Sequence, residues 1–336
     1  MRLLVKPLFF LCLLVCISYS SFAEIVKFEV TKTESYNNGK QFGNAGEYMR
    51  IFGNAYGEID PSDSLNSIIQ DIQLAPRNAA GKVEYVSEFI LLRPKDISKC
   101  NGILFLSLPN RGNVFPADTA LLKRGYVYLW IAWQGDILPG NNRLTIDVPV
   151  ATENGKEISG KIRSEFEVAE PTKTLNLSSG YFNGMSHRSY ETISLNNSSA
   201  TLTKRVHEAD EREIIPNSDW AFSDCSSTDV PGVASTTKIS LKGGFDPNYI
   251  YELIYTGKNP LVLGLGFAAI RDVASFFKHE IKDKAGNQNP LTDDNKTAVP
   301  IKAAVLQGIS QCGNFSRTFL YLGFNQDEHR KIDLKG

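Results

Sequence analysis

The sequence predicts an α/β protein in which a parallel sheet follows antiparallel strands and carries a β-rich insertion. Residues 24–94 alternate polar and apolar positions in short runs, which is typical of antiparallel strands. Two continuous apolar runs, 103–108 and 126–133, flank a short helical pattern and form a strand, helix, strand unit. Near the end, the strand-like run 303–307 leads through a tight turn at Ser310 into an amphipathic stretch.

The composition is that of a folded globular protein. The chain has 336 residues, of which 42% are hydrophobic and 22% charged. Its net charge is -1 and its pI is about 6.5, and the lysines and arginines are scattered. No basic surface is therefore expected to attract a polyanion, which makes nucleic acid an unfavourable partner.

The first 23 residues have the pattern of a secretory signal peptide. A basic start precedes an apolar core, and Ser21 and Ala23 supply the small residues of a cleavage site before Glu24. The apolar core is shorter than the roughly 20 residues that span a bilayer, which disfavours the alternative of an uncleaved anchor. We therefore expect a secreted or periplasmic protein of residues 24–336 with no membrane span after signal cleavage.

The cysteines predict neither a metal site nor a disulfide framework. Once the signal is removed, Cys100, Cys225 and Cys312 remain, an odd number at wide spacings that allows at most one disulfide. There is no C-x-x-C pattern, and we predict no metal and no cofactor. The glycines of 264–269 match a nucleotide-binding pattern, but they follow no first βαβ strand, and close helix packing is the favoured interpretation.

The hydrophobic periodicity of residues 116–279 predicts the following helices and strands. A helix is expected over 116–125, ending at its glycine. Residues 135–246 lose helical periodicity and gain alternation, which predicts a β-rich insertion or cap. A strand over 249–255 and an amphipathic helix over 267–279 follow.

Ser310 is the candidate nucleophile. Glycines at 308 and 313 flank it between a predicted strand and a predicted helix, and such a turn pushes its central side chain clear of the backbone. The backbone N–H of Gln311 would then face the developing oxyanion. Cys312 stands where a G-x-S-x-G pattern has its second glycine, and an ordinary buried turn serine is the alternative interpretation.

The loops after the two earlier apolar strands are predicted to complete the site. Asn110, Arg111 and Gly112 follow the first run, where a second oxyanion donor is expected. Arg111 is equally well explained as a brace of its loop. The end of the next strand lies on the ligand-binding edge of such a sheet, although packing is the more common role of a tryptophan there. The predicted rim of the pocket is Trp133, Gln134 and Asp136.

Several motifs taken together resemble a known family. They occur in order along nearly all of residues 24–336, and as a set they are more specific than any one alone. They are residues 110–113, 133–136, 264–272, 308–313 and 319–325. The chain is similar to the bacterial secreted α/β-hydrolase domain proteins, a family of uncharacterised serine hydrolases, and the resemblance implies an incomplete α/β-hydrolase sheet.

The resemblance implies a Ser–His–acid hydrolase that acts on a small-molecule ester, with Ser310 as nucleophile. Members of this family are longer, so the resemblance implies a C-terminally truncated, partial domain whose acid and histidine lie in a missing segment or in a complementing chain. The hydrolase activity of the chain as given is therefore expected to be impaired. His329 is the one histidine after Ser310 and follows it too closely to fit the pattern. A non-catalytic secreted binding protein and, less favoured, a nucleotide-binding oxidoreductase remain as alternatives.

Overall fold

The computed structural model describes residues 24–178, 187–292, 299–328 and 330. The predicted signal peptide and His329 lie outside these ranges. The strands are β1 (Glu24–Ser35), β2 (Tyr48–Ile59), β3 (Val83–Pro94), β4 (Ile103–Ser107), β5 (Val127–Ile131), β6 (Ile146–Asp147), β7 (Thr152–Glu153), β8 (Lys156–Glu157), β9 (Ser159–Phe166), β10 (Thr172–Asn176), β11 (Thr201–Arg205), β12 (Glu213–Ile215), β13 (Trp220–Ala221), β14 (Ser223–Asp224), β15 (Val233–Ala234), β16 (Lys238–Phe245), β17 (Ile250–Lys258) and β18 (Ala303–Gln307). The α-helices are α1 (Thr119–Leu122), α2 (Leu265–His279) and α3 (Gln311–Tyr321).

The largest sheet has seven strands in the order β1-β2-β3-β5-β4-β18, with β6 paired to β3 beside this path. The pairs β1·β2, β2·β3, β3·β5 and β3·β6 are antiparallel, and only β5·β4 and β4·β18 are parallel. The predicted antiparallel strands over 24–94 are confirmed. Alternate residues of β2 are buried because one face of the sheet packs on the core.

The predicted fold class, an incomplete α/β-hydrolase sheet, is wrong. The chain is mostly β, with 38% strand and 17% helix, and several of its sheets are antiparallel. An α/β layout needs a helix after each strand on both faces of a mostly parallel sheet. The described residues supply only three α-helices, and α1 is a single turn.

Two local predictions within that sheet are nevertheless confirmed. Strands β4 and β5 are parallel neighbours joined through α1, although the helix expected over 116–125 is limited to Thr119–Leu122. Pro116 and the residues before Asp118 stay extended or irregular, and Asp118 caps α1 by accepting from the Ala120 amide at 2.7 Å. The strand and helix expected around Ser310 are β18 and α3.

A second unit packs around its own core. One sheet has the order β12-β11-β17-β9 and another β10-β16-β13. Aromatic side chains fill the space between them, including Trp220, Phe245 and Tyr251. The insertion is therefore β-rich as predicted, and the strand predicted over 249–255 is β17, which pairs with β9 and β11 in this second unit.

Helix α2 covers one face of the large sheet. Phe28 of β1 stacks on Phe89 of β3 with ring centroids 4.2 Å apart, and Phe277 of α2 meets Phe28 edge-on at 5.1 Å. The predicted helix over 267–279 is confirmed and begins two residues earlier. Within the described ranges, no helix is long and apolar enough to cross a bilayer.

A buried ionic cluster ties α2 to the residues after α3. Arg271 is fully buried, and its Nε donates to Asp272 at 2.7 Å while Nη1 donates to Asn66 at 2.8 Å. Its Nη2 lies 3.5 Å from the buried carboxyl of Glu328. Tyr85 of β3 donates its hydroxyl to Asp272 at 2.9 Å. Since a buried charge is costly unless it is paired, these contacts hold four segments of the chain together.

Candidate functional site

Ser310 occupies a strained turn between β18 and α3. Its φ is 59° and its ψ is -121°, a combination that L residues rarely adopt. The residue is exposed, and its side chain makes no capping bond to the helix that it precedes. Such strain is the backbone signature of a serine presented outward from a strand-to-helix turn.

Glycine at position 308 is what allows the turn to close. A Cβ there would lie 2.1 Å from the carbonyl oxygen of Cys312 and 2.5 Å from Oγ of Ser316. Gly313 faces Gly308 from the other side, with its ideal Cβ 3.4 Å from the Gly308 oxygen. The strand end and the first turn of α3 therefore approach so closely that only glycine fits at 308.

The first turn of α3 leaves one amide available beside Ser310. The Cys312 amide donates to Ile309, and the amides of Gly313 and Asn314 both donate to the Ser310 carbonyl. The Gln311 amide, by contrast, has no acceptor within the described part of the chain. Since the helix dipole adds positive potential at the same end, an anion next to Ser310 would be stabilised there.

Trp133 links the neighbouring loops. Its indole Nε1 donates to the Pro109 carbonyl at 2.9 Å, and its ring lies 4.4 Å from that of Phe315 in α3. Leu108 extends the parallel pairing by donating to the Gln307 carbonyl at 3.0 Å. The loops after β4, β5 and β18 therefore meet at one edge of the sheet, as the sequence predicts.

The loop after β4 is braced by Gln134, which follows β5. The Arg111 amide donates to Oε1 of Gln134 at 2.7 Å, and Gln134 is buried, so this amide is already committed. Gly112 has a φ of 75°, and a Cβ at this position would lie 2.8 Å from the carbonyl oxygen of Leu144. Glycine is therefore needed here for the loop to pack against Leu144. The Arg111 side chain is exposed.

Asn110 is the loop residue that keeps an unused polar group. Its Oδ1 is buried and accepts no hydrogen bond from the described residues. Its carbonyl accepts from the Asn113 amide at 3.0 Å, which fixes the backbone of the turn. Among the three predicted oxyanion residues of this loop, Asn110 therefore has side-chain bonding capacity that the fold leaves open.

The insertion returns a histidine to this edge. His187 pairs as an isolated antiparallel bridge with Ile137, and the Arg188 amide donates to the Asp136 carbonyl at 2.6 Å. Ile137 in turn lies against Gly112, since a Cβ there would be 3.3 Å from its Cγ2. His187 is thereby fixed beside the loops that follow β4 and β5.

Sequence reasoning assigned no role to His187. It lies in a polar, glycine-containing stretch without periodicity, and only the bridge to Ile137 places it. The other described histidines lie elsewhere. His279 is the last residue of α2, at the end of the helix opposite to the one that packs on Trp133. His207 is exposed after β11. No local pattern could have distinguished His187 from these.

Cys312 is not a competing nucleophile. It is buried in the first turn of α3, and burial raises the pKa of its thiol to about 11, so the thiolate is scarce at neutral pH. Cys100, Cys225 and Cys312 are all free thiols. The described residues contain no group of three or more side chains that could hold a metal ion.

Comparison with known proteins does not add to this geometry: no family model, no curated protein and no solved structure matches the chain.

Proposed function

We propose that this protein is a serine hydrolase that cleaves carboxylic esters through an acyl-enzyme on Ser310. The observation that carries the proposal is the strained, exposed Ser310 directly before an amide for which the described part of the chain offers no acceptor. Strain of this kind costs free energy and persists where the surrounding structure enforces it, which is common at functional sites. An oxyanion formed by attack at Ser310 would have Gln311 N–H within its reach.

In the proposed reaction, Oγ of Ser310 attacks the ester carbonyl carbon while the hydroxyl proton passes to a base. The tetrahedral oxyanion collapses, the carbon–oxygen bond to the alcohol breaks, and the alcohol leaves with a proton. Water then hydrolyses the acyl-serine and regenerates the enzyme. We propose His187 as the base, because the bridge to Ile137 brings it to the edge that carries Ser310. The signal-like residues 1–23 support a secreted or periplasmic site of action.

The proposal is tested by mixing the protein with a p-nitrophenyl ester and following the release of p-nitrophenolate during the first turnover. We expect a burst of p-nitrophenolate close to the enzyme concentration, and Ser310→Ala should remove it. Ser316→Ala is the matched control, because Ser316 lies in the same helix and its hydroxyl is bonded to the Cys312 carbonyl at 2.9 Å. A burst that survives Ser310→Ala, or one lost equally in Ser316→Ala, would contradict the assignment.

A further inference from the structure

A cavity of about 720 Å³ lies on the face of the large sheet that α2 does not cover. Ile90 of β3 lines it, whereas the next residue towards the N-terminus, Phe89, faces Phe277 of α2. Successive residues of a strand point to opposite faces, so the cavity and α2 lie on opposite sides of the sheet. Its volume falls within the range of about 300–1,000 Å³ that is usual for small-molecule sites.

The cavity has an aromatic lining. Phe52 of β2 and Trp130 of β5 lie on its sheet side, and Tyr36 and Phe115 come from the loops around it. Phe115 is 43% exposed, so its ring is only partly covered by the fold. Aromatic walls of this kind favour a planar apolar ligand.

The charged side chains of the lining are more cationic than anionic. Lys32, Arg50 and Arg143 contribute positive charge, and Glu34 and Glu88 contribute negative charge. Glu34 pairs with Lys32 at 2.6 Å and accepts from Nε of Arg50 at 2.7 Å, and these partners hold its pKa below the usual range. The excess of cations makes an anionic ligand group the favourable one.

Trp130 lines the same cavity and has a donor that no described residue uses. The residue is 3% exposed, and its buried Nε1 has no acceptor within the described ranges. A buried N–H without an acceptor costs free energy that a hydrogen bond recovers. The Arg50 guanidinium is fixed 5.2 Å from the Phe52 ring, so the cationic and aromatic walls adjoin.

From this combination we propose that the cavity binds an aromatic carboxylate, with its ring between Phe52, Phe115 and Trp130 and its carboxylate towards the cationic side chains and the indole N–H. This site is separate from the turn at Ser310, and the inference is independent of the proposed hydrolase activity.

The test is calorimetric titration of the full chain with naphthoate and with naphthylmethylammonium, which has the same ring system and the opposite charge. We expect saturable binding of naphthoate at one site and binding of the cation weaker by about tenfold or more. Trp130→Phe keeps an aromatic ring at this position but removes the N–H, and it should weaken naphthoate binding by about tenfold.

Phe115→Ala is a second variant, because its partly exposed ring can be removed without opening the core, and it should also weaken binding. Ile214→Ala is the control, since Ile214 is 68% exposed on β12 in the second unit, and it should leave the affinity unchanged. Absence of saturable naphthoate binding, equal binding of the cation, or affinity unchanged in both Trp130→Phe and Phe115→Ala would overturn the proposal.

Discussion

The Arg111 amide donates a 2.7 Å hydrogen bond to the side-chain Oε1 of Gln134, which joins the loop after β4 to the end of β5. Gln134 is only 6% exposed, so water is not available to replace its oxygen as acceptor. This bond fixes the loop that carries Asn110 at the edge of the sheet where Ser310 lies, and it gives Gln134 a bracing role in that loop.

Replacing Gln134 by Leu should destabilise the protein by about 1–3 kcal/mol, because the part-buried Arg111 amide would lose its acceptor and the buried side chain its hydrogen bond. The free energy of unfolding is measured by urea denaturation. Gln70→Leu is the control, because Gln70 is exposed, and it should change that free energy by less than about 0.5 kcal/mol. Equal stability of the two variants would show that the bond does not hold the loop.

Replacing Gly308 by Ala should cost about 1–3 kcal/mol and should abolish any reactivity at Ser310, since the new methyl group would collide with the Cys312 carbonyl. Gly160→Ala is the matched control: Gly160 lies in β9 and has no atom within 4 Å of its ideal Cβ. Thermal unfolding and ester burst amplitude are measured on both variants. A Gly308→Ala protein with unchanged stability and burst would contradict the close approach at this turn.

The buried carboxyl of Glu328 makes stability depend on pH. Burial raises its pKa from the ordinary 4.5 to about 8, with the Asp272 and Asp63 carboxylates adding to the shift, while the Asn66 hydrogen bond and the Arg271 charge oppose it. As the pH rises from about 4.5 to about 8, the unfolded chain releases a proton that the native protein retains, so the free energy of unfolding falls.

Glu328→Gln should remove this pH dependence and stabilise the protein above about pH 8, by on the order of a few kcal/mol. Urea unfolding at a series of pH values is compared for the unaltered protein, Glu328→Gln and the control Glu211→Gln, which alters an exposed carboxyl. If Glu328→Gln and the unaltered protein gave parallel curves, Glu328 would not be the titrating group.

Cys312 should resist alkylation in the native protein. At about pH 8 its thiol, with a pKa raised to about 11, is protonated and buried. Mass spectrometry after iodoacetamide treatment should show Cys312 unmodified without urea and modified with it. Rapid native modification would mean that the first turn of α3 opens, contrary to the full burial of Cys312.

His187→Ala should lower the rate of acylation by about 100-fold or more without destabilising the main sheet, because a general base contributes on that scale. The burst rate is measured across pH for His187→Ala and for His207→Ala, whose ring is exposed after β11. Equal burst rates in the two variants would leave Ser310 as a candidate nucleophile but remove His187 as its base.

Local patterns predicted the elements but not the fold class. The apolar runs that became β4 and β5 and the strand, turn and helix around Ser310 follow from period and glycine position, which act over a few residues. The fold class does not follow from such patterns because strand pairing is set by long-range packing: residues 249–255 predict a strand, but nothing in that run predicts that β17 pairs with β9 and β11. The placement of His187 and the bracing by Gln134 depend on the same long-range contacts.

The most direct test of Ser310 as a nucleophile is to treat the full chain with a fluorophosphonate probe and to locate the modified residue by peptide mass spectrometry. We predict a single modified serine, Ser310, with labelling lost in Ser310→Ala and retained in Ser316→Ala. Labelling at another residue, or labelling that persists in Ser310→Ala, would contradict it.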